Sequence, residues 1–278
     1  MNRCVVLFFF VMAPHAQAQQ LPSLQALLSR LSDYSVMYTA TLPSLSCSES
    51  IISQRVKNGE VKSTVRVQGT MREIRTEDPD DPFREQHEFT AINGKPIKKG
   101  TELHMPYFVT GAFANMVGFR RRDLNDCFEY MLSWAEDGKN VQLAAVVKPF
   151  PPETAPRALV SICSEKVWQG THSRVVADPE TGQILHSERT VTPENAKAHN
   201  EAYFAQLDYM PQKIGDQSFL LPSEFYSHDA ADQGRMYATY SDCHRFGSEV
   251  RILPSATEVK TEPKPEFSPD VKPDGKPE

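Results

Sequence analysis

The feature that most limits what this chain can become is its punctuation. Asn58-Gly59, Asn93-Gly94, Asp137-Gly138 and Gly215-Asp216 each stand between two runs of strand-forming residues. Asn-Gly and Asp-Gly supply the positive φ values of the tight turns that twist in step with the strands they join. A fifth break, Asp178-Pro179-Glu180-Thr181-Gly182, separates Val175–Ala177 from Ile184–Val191. There Pro fixes φ and Gly lets it turn positive. Tight turns make antiparallel neighbours, whereas a parallel sheet needs helical crossovers, which this spacing does not provide. The pattern predicts one large antiparallel sheet and rules against a parallel α/β enzyme fold. Val61, Val65, Val67 and Met71 fall at even spacings, and Gly69 among them marks a bulge. Thr76–Gln86, acidic and Pro-containing, reads as a loop.

Two segments break the β rhythm. Leu24, Leu27, Leu28 and Leu31 form one apolar helical stripe, capped by Ser23, and predict a short amphipathic helix over Leu21–Leu31 lying on the sheet. Pro106–Phe119, opened by Pro106 and stopped by Gly118, predicts a second helix. Its apolar residues surround the axis instead of striping it. That helix either plugs its own sheet or lines an apolar ligand site, with Tyr107, Phe108, Phe113, Met116 and Phe119 as the lining residues.

The ends are of other kinds. Arg3, the apolar run Cys4–Ala13 and Ala16-Gln17-Ala18 follow the order of a secretory signal peptide cut after Ala18, leaving no stretch of transmembrane length. Residues 255–278 are rich in Pro, Glu, Lys and Asp and bury too little to order themselves. The expected organisation is therefore a signal peptide over 1–18, a single β domain over 19–254 and a disordered tail over 255–278. An exported, periplasmic or extracellular chain suits its cysteines. Beyond Cys4 there are Cys47, Cys127, Cys163 and Cys243, an even number without a C-x-x-C pair. Of the three possible pairings, Cys47–Cys243 joins the first and last strands, and Cys127–Cys163 joins the middle ones.

No residue pattern carries a recognisable chemistry. There is no G-x-S-x-G, P-loop, H-E-x-x-H or dinucleotide fingerprint, which implies neither enzyme nor cofactor. The histidines of the presumed mature chain (His87, His104, His172, His186, His199, His228 and His244) never stand four apart, so no helical metal pair is expected. A net charge of −6 lacks the footprint of a nucleic-acid binder. Asp178, Glu180, His186 and Glu188 crowd the mid-chain hairpin. Alternation places His186 and Glu188 on one face with Ile184, and the group reads as the wet side of a scaffold.

The hairpin "DPETGQILHSE", the closing run "YSDCHRFGSEVRILP" and the order signal, helix, meander together resemble the bacterial lipoprotein-localisation (LolA/LolB-like) fold and exported relatives of it. The resemblance implies a curved, unclosed β half-barrel wrapped around one or two helices. Its concave apolar face would bind acyl chains or a lipoprotein. It leaves open a second role, a protein-interaction or structural module of the cell envelope without a lipid ligand.

Overall fold

The computed structural model describes residues 20–78, 82–98, 101, 103–111, 122–148, 171–191, 203–229 and 231–247. The chain divides into two units, Met1–Phe246 and Gly247–Glu278. Both the presumed signal peptide and the tail from Ser255 lie outside the described residues.

Among the described residues one α-helix, α1 (Leu24–Thr41), precedes eleven strands: β1 (Leu45–Lys57), β2 (Glu60–Arg75), β3 (Phe83–Ile92), β4 (Lys95–Pro96), β5 (Phe128–Trp134), β6 (Val141–Val147), β7 (Thr171–Ala177), β8 (Ile184–Val191), β9 (Tyr203–Ile214), β10 (Gln217–Asp229) and β11 (Gly234–Arg245). They form a single antiparallel sheet in the order β4-β3-β2-β1-β11-β10-β9-β8-β7-β6-β5. The sheet does not close, and it wraps around α1 as a half-barrel. The turns behave as their residues require. Asn58 and Gly59 both have positive φ, as do Asn93 and Gly94. Gly69 faces a register shift in β3, and a Cβ there would lie 2.3 Å from the Glu88 carbonyl oxygen. β3 begins at Phe83, inside the stretch read as loop.

The first and last long strands, β1 and β11, are neighbours at the middle of the sheet. This places β4 and β5 at opposite borders, so the chain between them must cross the sheet. Its described residues 103–111 lie on the apolar face, where Met105, Tyr107, Phe108 and Val109 pack against the core. The seam between β1 and β11 is stitched by the Cys47–Cys243 disulfide, across a sequence separation of 196. Cys127 is disulfide-bonded as well, and Cys163 lies outside the described residues.

Two helical expectations are corrected. α1 runs ten residues past Leu31, to Thr41. Its buried stripe continues through Tyr34, Ser35, Tyr38 and Thr39, polar letters that fill the same face as Leu27, Leu28 and Leu31. Arg75 of β2 donates from Nη1 to the Thr39 and Leu42 carbonyls at 2.8 and 3.1 Å, satisfying acceptors that a helix end leaves without partners. The other correction concerns Pro106–Phe119. Its described part, residues 106–111, is irregular chain and not helix. The crossing segment is held by side chains of the sheet instead of by its own ladder. Residues 112–121, with Phe113, Met116 and Phe119, lie outside the described residues.

Candidate ligand-binding face

Alternation in each strand assigns one set of side chains to the inner face. From β1 these are Leu45, Cys47, Glu49, Ile51 and Ser53, and their cross-strand partners on β2 are Glu73, Met71, Gly69, Val67 and Val65. α1 covers the centre of this face, and Leu27, Leu31 and Tyr38 are fully buried there with Leu143, Ile184 and Leu207.

The crossing segment covers a neighbouring part. Ser53 grips Tyr107 twice: the Tyr107 amide donates to Ser53 Oγ at 2.9 Å, and Ser53 Oγ donates to the Tyr107 carbonyl at 2.7 Å. The Tyr107 hydroxyl lies 3.0 Å from Ser227 Oγ on β10. Its ring rests on Gly234, where a Cβ would come within 2.7 Å of Tyr107 Cβ. Phe108 meets Phe89 and His87 edge-on, with centroids at 6.0 and 5.2 Å.

Beneath Phe108 sits a polar group that sequence reasoning missed. His87 Nδ1 lies 3.0 Å from both carboxylate oxygens of Glu49, and Nε2 lies 3.6 Å from Glu85 Oε2. Glu49 and Glu73 are buried, as is Tyr240. Burial alone would lower the affinity of His87 for its proton, but the Glu49 and Glu85 carboxylates outweigh it and hold the imidazole at about 9. Burial first, and then the same acidic neighbours, push the Tyr240 phenol well above its ordinary value. A charged imidazole between carboxylates forms an ion pair that links β1 to β3. Glu85 ties it to the crossing segment by accepting from the Gly111 amide at 2.7 Å. Glu49 and His87 stand 38 residues apart in the chain and meet only through the sheet, so no motif marks them.

Toward the β5 border the inner face is apolar and only partly covered. Phe128, Tyr130, Leu132 and Trp134 of β5 point inward, all half-buried, with Leu185 of β8 and Tyr203 of β9 also partly exposed. The alternation that marks the β5 row is legible in "FEYMLSW", although a strand is all it implies.

The crowded hairpin lies mostly on the opposite face. His186 bonds Asp208 at 2.6 Å and Glu188 at 3.1 Å, and Glu188 also pairs with Arg174. This is a cross-strand charge ladder over β7, β8 and β9. Asp178 caps its own turn, accepting from the Glu180 and Thr181 amides at 2.9 and 2.8 Å. Ile184, however, does not share the face of His186. The register slips between Val176 and Ala177, and Ile184 turns into the core. Among the described residues no group of His, Cys, Asp or Glu is placed to hold a metal ion.

The sequence matches no protein-family model and no curated protein. Three solved structures are similar to it over 81% of this chain and 94% of their own. One is a domain described as an outer membrane lipoprotein-sorting protein from Vibrio parahaemolyticus, with 10% identity and a TM-score of 0.43. Another is a DUF1329 family protein from Desulfovibrio piger, with 12% identity and a TM-score of 0.39. The third is a LolA superfamily protein from Nitrosomonas europaea, with 10% identity and a TM-score of 0.34.

Proposed function

We propose that the chain is an exported, non-catalytic binding protein of the cell envelope whose inner sheet face holds an elongated apolar ligand, an acyl chain or an acylated protein. The observation that supports this is the row Phe128, Tyr130, Leu132 and Trp134. Four large side chains face inward on the border strand of an unclosed sheet, and all remain partly exposed while the centre of the same face is filled by α1. A border strand serving only as scaffold would gain solubility from polar residues there, whereas an apolar ligand recovers the unburied area at roughly 25 cal/mol per Å². Tyr107 and Phe108, on the same inner face, are the crossing segment's contribution to the lining. The Cys47–Cys243 link agrees with an oxidising compartment.

The test is a titration of the purified full chain with a fluorescent long-chain fatty acid, read by transfer from tryptophan. Saturable binding is expected, and Leu132→Asp should weaken it by about tenfold or more, ~1.4 kcal/mol, because a carboxylate then faces the acyl chain. Leu132 is half-buried and packs against the core, so the urea midpoint of the variant is measured alongside and binding is compared where the variant is fully folded. Absence of saturable binding to the parent chain would defeat the reading.

A further inference from the structure

We propose that two copies of this chain pair through their β5 strands, joining their sheets edge to edge about a two-fold axis. The sheet has two borders, and they are built differently. β4 consists of Lys95 and Pro96 alone, both exposed, and pairs only with Ala91 and Ile92; beyond them the border is β3 itself, with Arg84, Gln86 and Glu88 exposed along it. A short border with a lysine and a proline resists strand addition. β5 has none of these devices. It pairs with β6 over seven residues without a register shift, and among the described residues no strand lies on its outer side.

The direction of its backbone groups follows from the ends of the β5–β6 ladder. The Lys148 amide donates to the Cys127 carbonyl at 2.9 Å, and the Ala135 amide donates to the Asn140 carbonyl at 2.8 Å. Both pairs continue the register that sets Phe128 against Val147 and Trp134 against Val141. Bonded and non-bonded pairs alternate along an antiparallel ladder. Glu129, Met131 and Ser133 therefore turn their amides and carbonyls to β6, and Phe128, Tyr130, Leu132 and Trp134 direct theirs outward.

A second copy meets this pattern when the axis passes at Met131. Tyr130 then exchanges bonds with the partner's Leu132, and Phe128 with the partner's Trp134. On the inner face, apolar side chains meet apolar ones. On the outer face, Glu129 meets the partner's Ser133, and no carboxylate meets another. Met131 stands opposite the partner's Met131 in a non-bonded pair, where side chains approach most closely. This accounts for Met131 itself. At 67% it is the most exposed large hydrophobic side chain among the described residues, on a strand face otherwise made by Glu129 and Ser133. Sliding the register until Glu129 faces itself would oppose two carboxylates and uncover the methionines.

Sedimentation velocity of the full chain, without ligand, tests the proposal independently of the acyl-binding reading. A mass rising to twice that of the monomer across the micromolar range is expected. Met131→Lys should weaken association by about tenfold or more, through two ammonium groups at the axis. Below the association range its melting midpoint should match that of the parent, because the side chain is exposed. Met131→Cys should cross-link under mild oxidant, while Met210→Cys, an exposed control at 58% on β9, should not. A monomer at every concentration overturns the proposal. So does a dimer that Met131→Lys leaves intact, or cross-linking at Met131→Cys no faster than at the control.

Discussion

Gly182 touches the backbone of Arg30. A Cβ on Gly182 would lie 2.4 Å from the Arg30 carbonyl carbon and 2.5 Å from its oxygen, and φ at Gly182 is +73°. The mid-chain turn is thus seated on α1, and Arg30 Nη1 reinforces the contact by donating to the Pro179 carbonyl. Here the Gly of the turn serves packing between distant segments as well as its own conformation. Gly182→Ala should destabilise the fold by about 2–4 kcal/mol, because backbone faces backbone and neither can yield. Gly215→Ala, with φ +62° and nothing within 4 Å, carries conformational strain alone and should cost only about 1 kcal/mol. Urea midpoints of the two variants separate packing from conformation.

The second prediction concerns pH. His87 has an ordinary value of 6.5 and stands at about 9 in the fold. A group raised on folding stabilises fully below its unfolded value and loses that contribution as pH rises through its folded one. Stability should therefore fall between about pH 6.5 and pH 9, by on the order of 2–3 kcal/mol. Melts at pH 6, 7.5 and 9.5 would show the slope in the parent chain, and His87→Gln should remove this component. A slope that survives the substitution would assign it elsewhere.

The crossing segment offers a third. Ser53→Ala deletes the one hydroxyl that serves both the amide and the carbonyl of Tyr107. Two inner-face backbone groups lose their partner, at a cost of about 2–3 kcal/mol. Hydrogen exchange should report it first at the Tyr107 amide, well before the β1–β2 ladder is affected.

Removing the seam link is the fourth. Cys47→Ser with Cys243→Ser should lower stability by about 2–5 kcal/mol, the usual range for a native disulfide. Because β1 and β11 remain hydrogen-bonded neighbours, the far-ultraviolet dichroism of the folded variant should match that of the parent.

The turns were legible because their chemistry is local. Asn58-Gly59 and Asn93-Gly94 can do little else, and Gly69 signals a bulge through the absence of a side chain. The length of α1 was not legible past Leu31. Tyr34, Ser35, Tyr38 and Thr39 are buried by what they pack against, and no hydrophobicity count of single residues finds that stripe. Pro106–Gly111 misled in the opposite sense. It is rich in residues that a helix would bury, but Tyr107 is held instead by Ser53 through its backbone, by Ser227 through its hydroxyl and by Gly234 against its ring. The buried group of Glu49, Glu85 and His87 was hidden for a related reason. Its members come from β1 and β3, with no spacing that links them. Ile184 was placed on the wrong face because one slip of register at Val176 reverses every side chain beyond it.

The position of β11 beside β1 governs the order in which the molecule can be completed. During synthesis β1 to β4 emerge first and β5 to β10 follow, each set able to form hairpins locally. The strand that binds the two halves into one sheet is the last to leave the ribosome. Until then the future centre of the sheet is two open borders, one on β1 and one on β10. These are the surfaces at which a chain in transit would join a wrong partner. Closure needs contacts between residues nearly the whole domain apart, so folding should be slow for its stability. A chain truncated before Gly234 would lack the central strand and not merely a terminus.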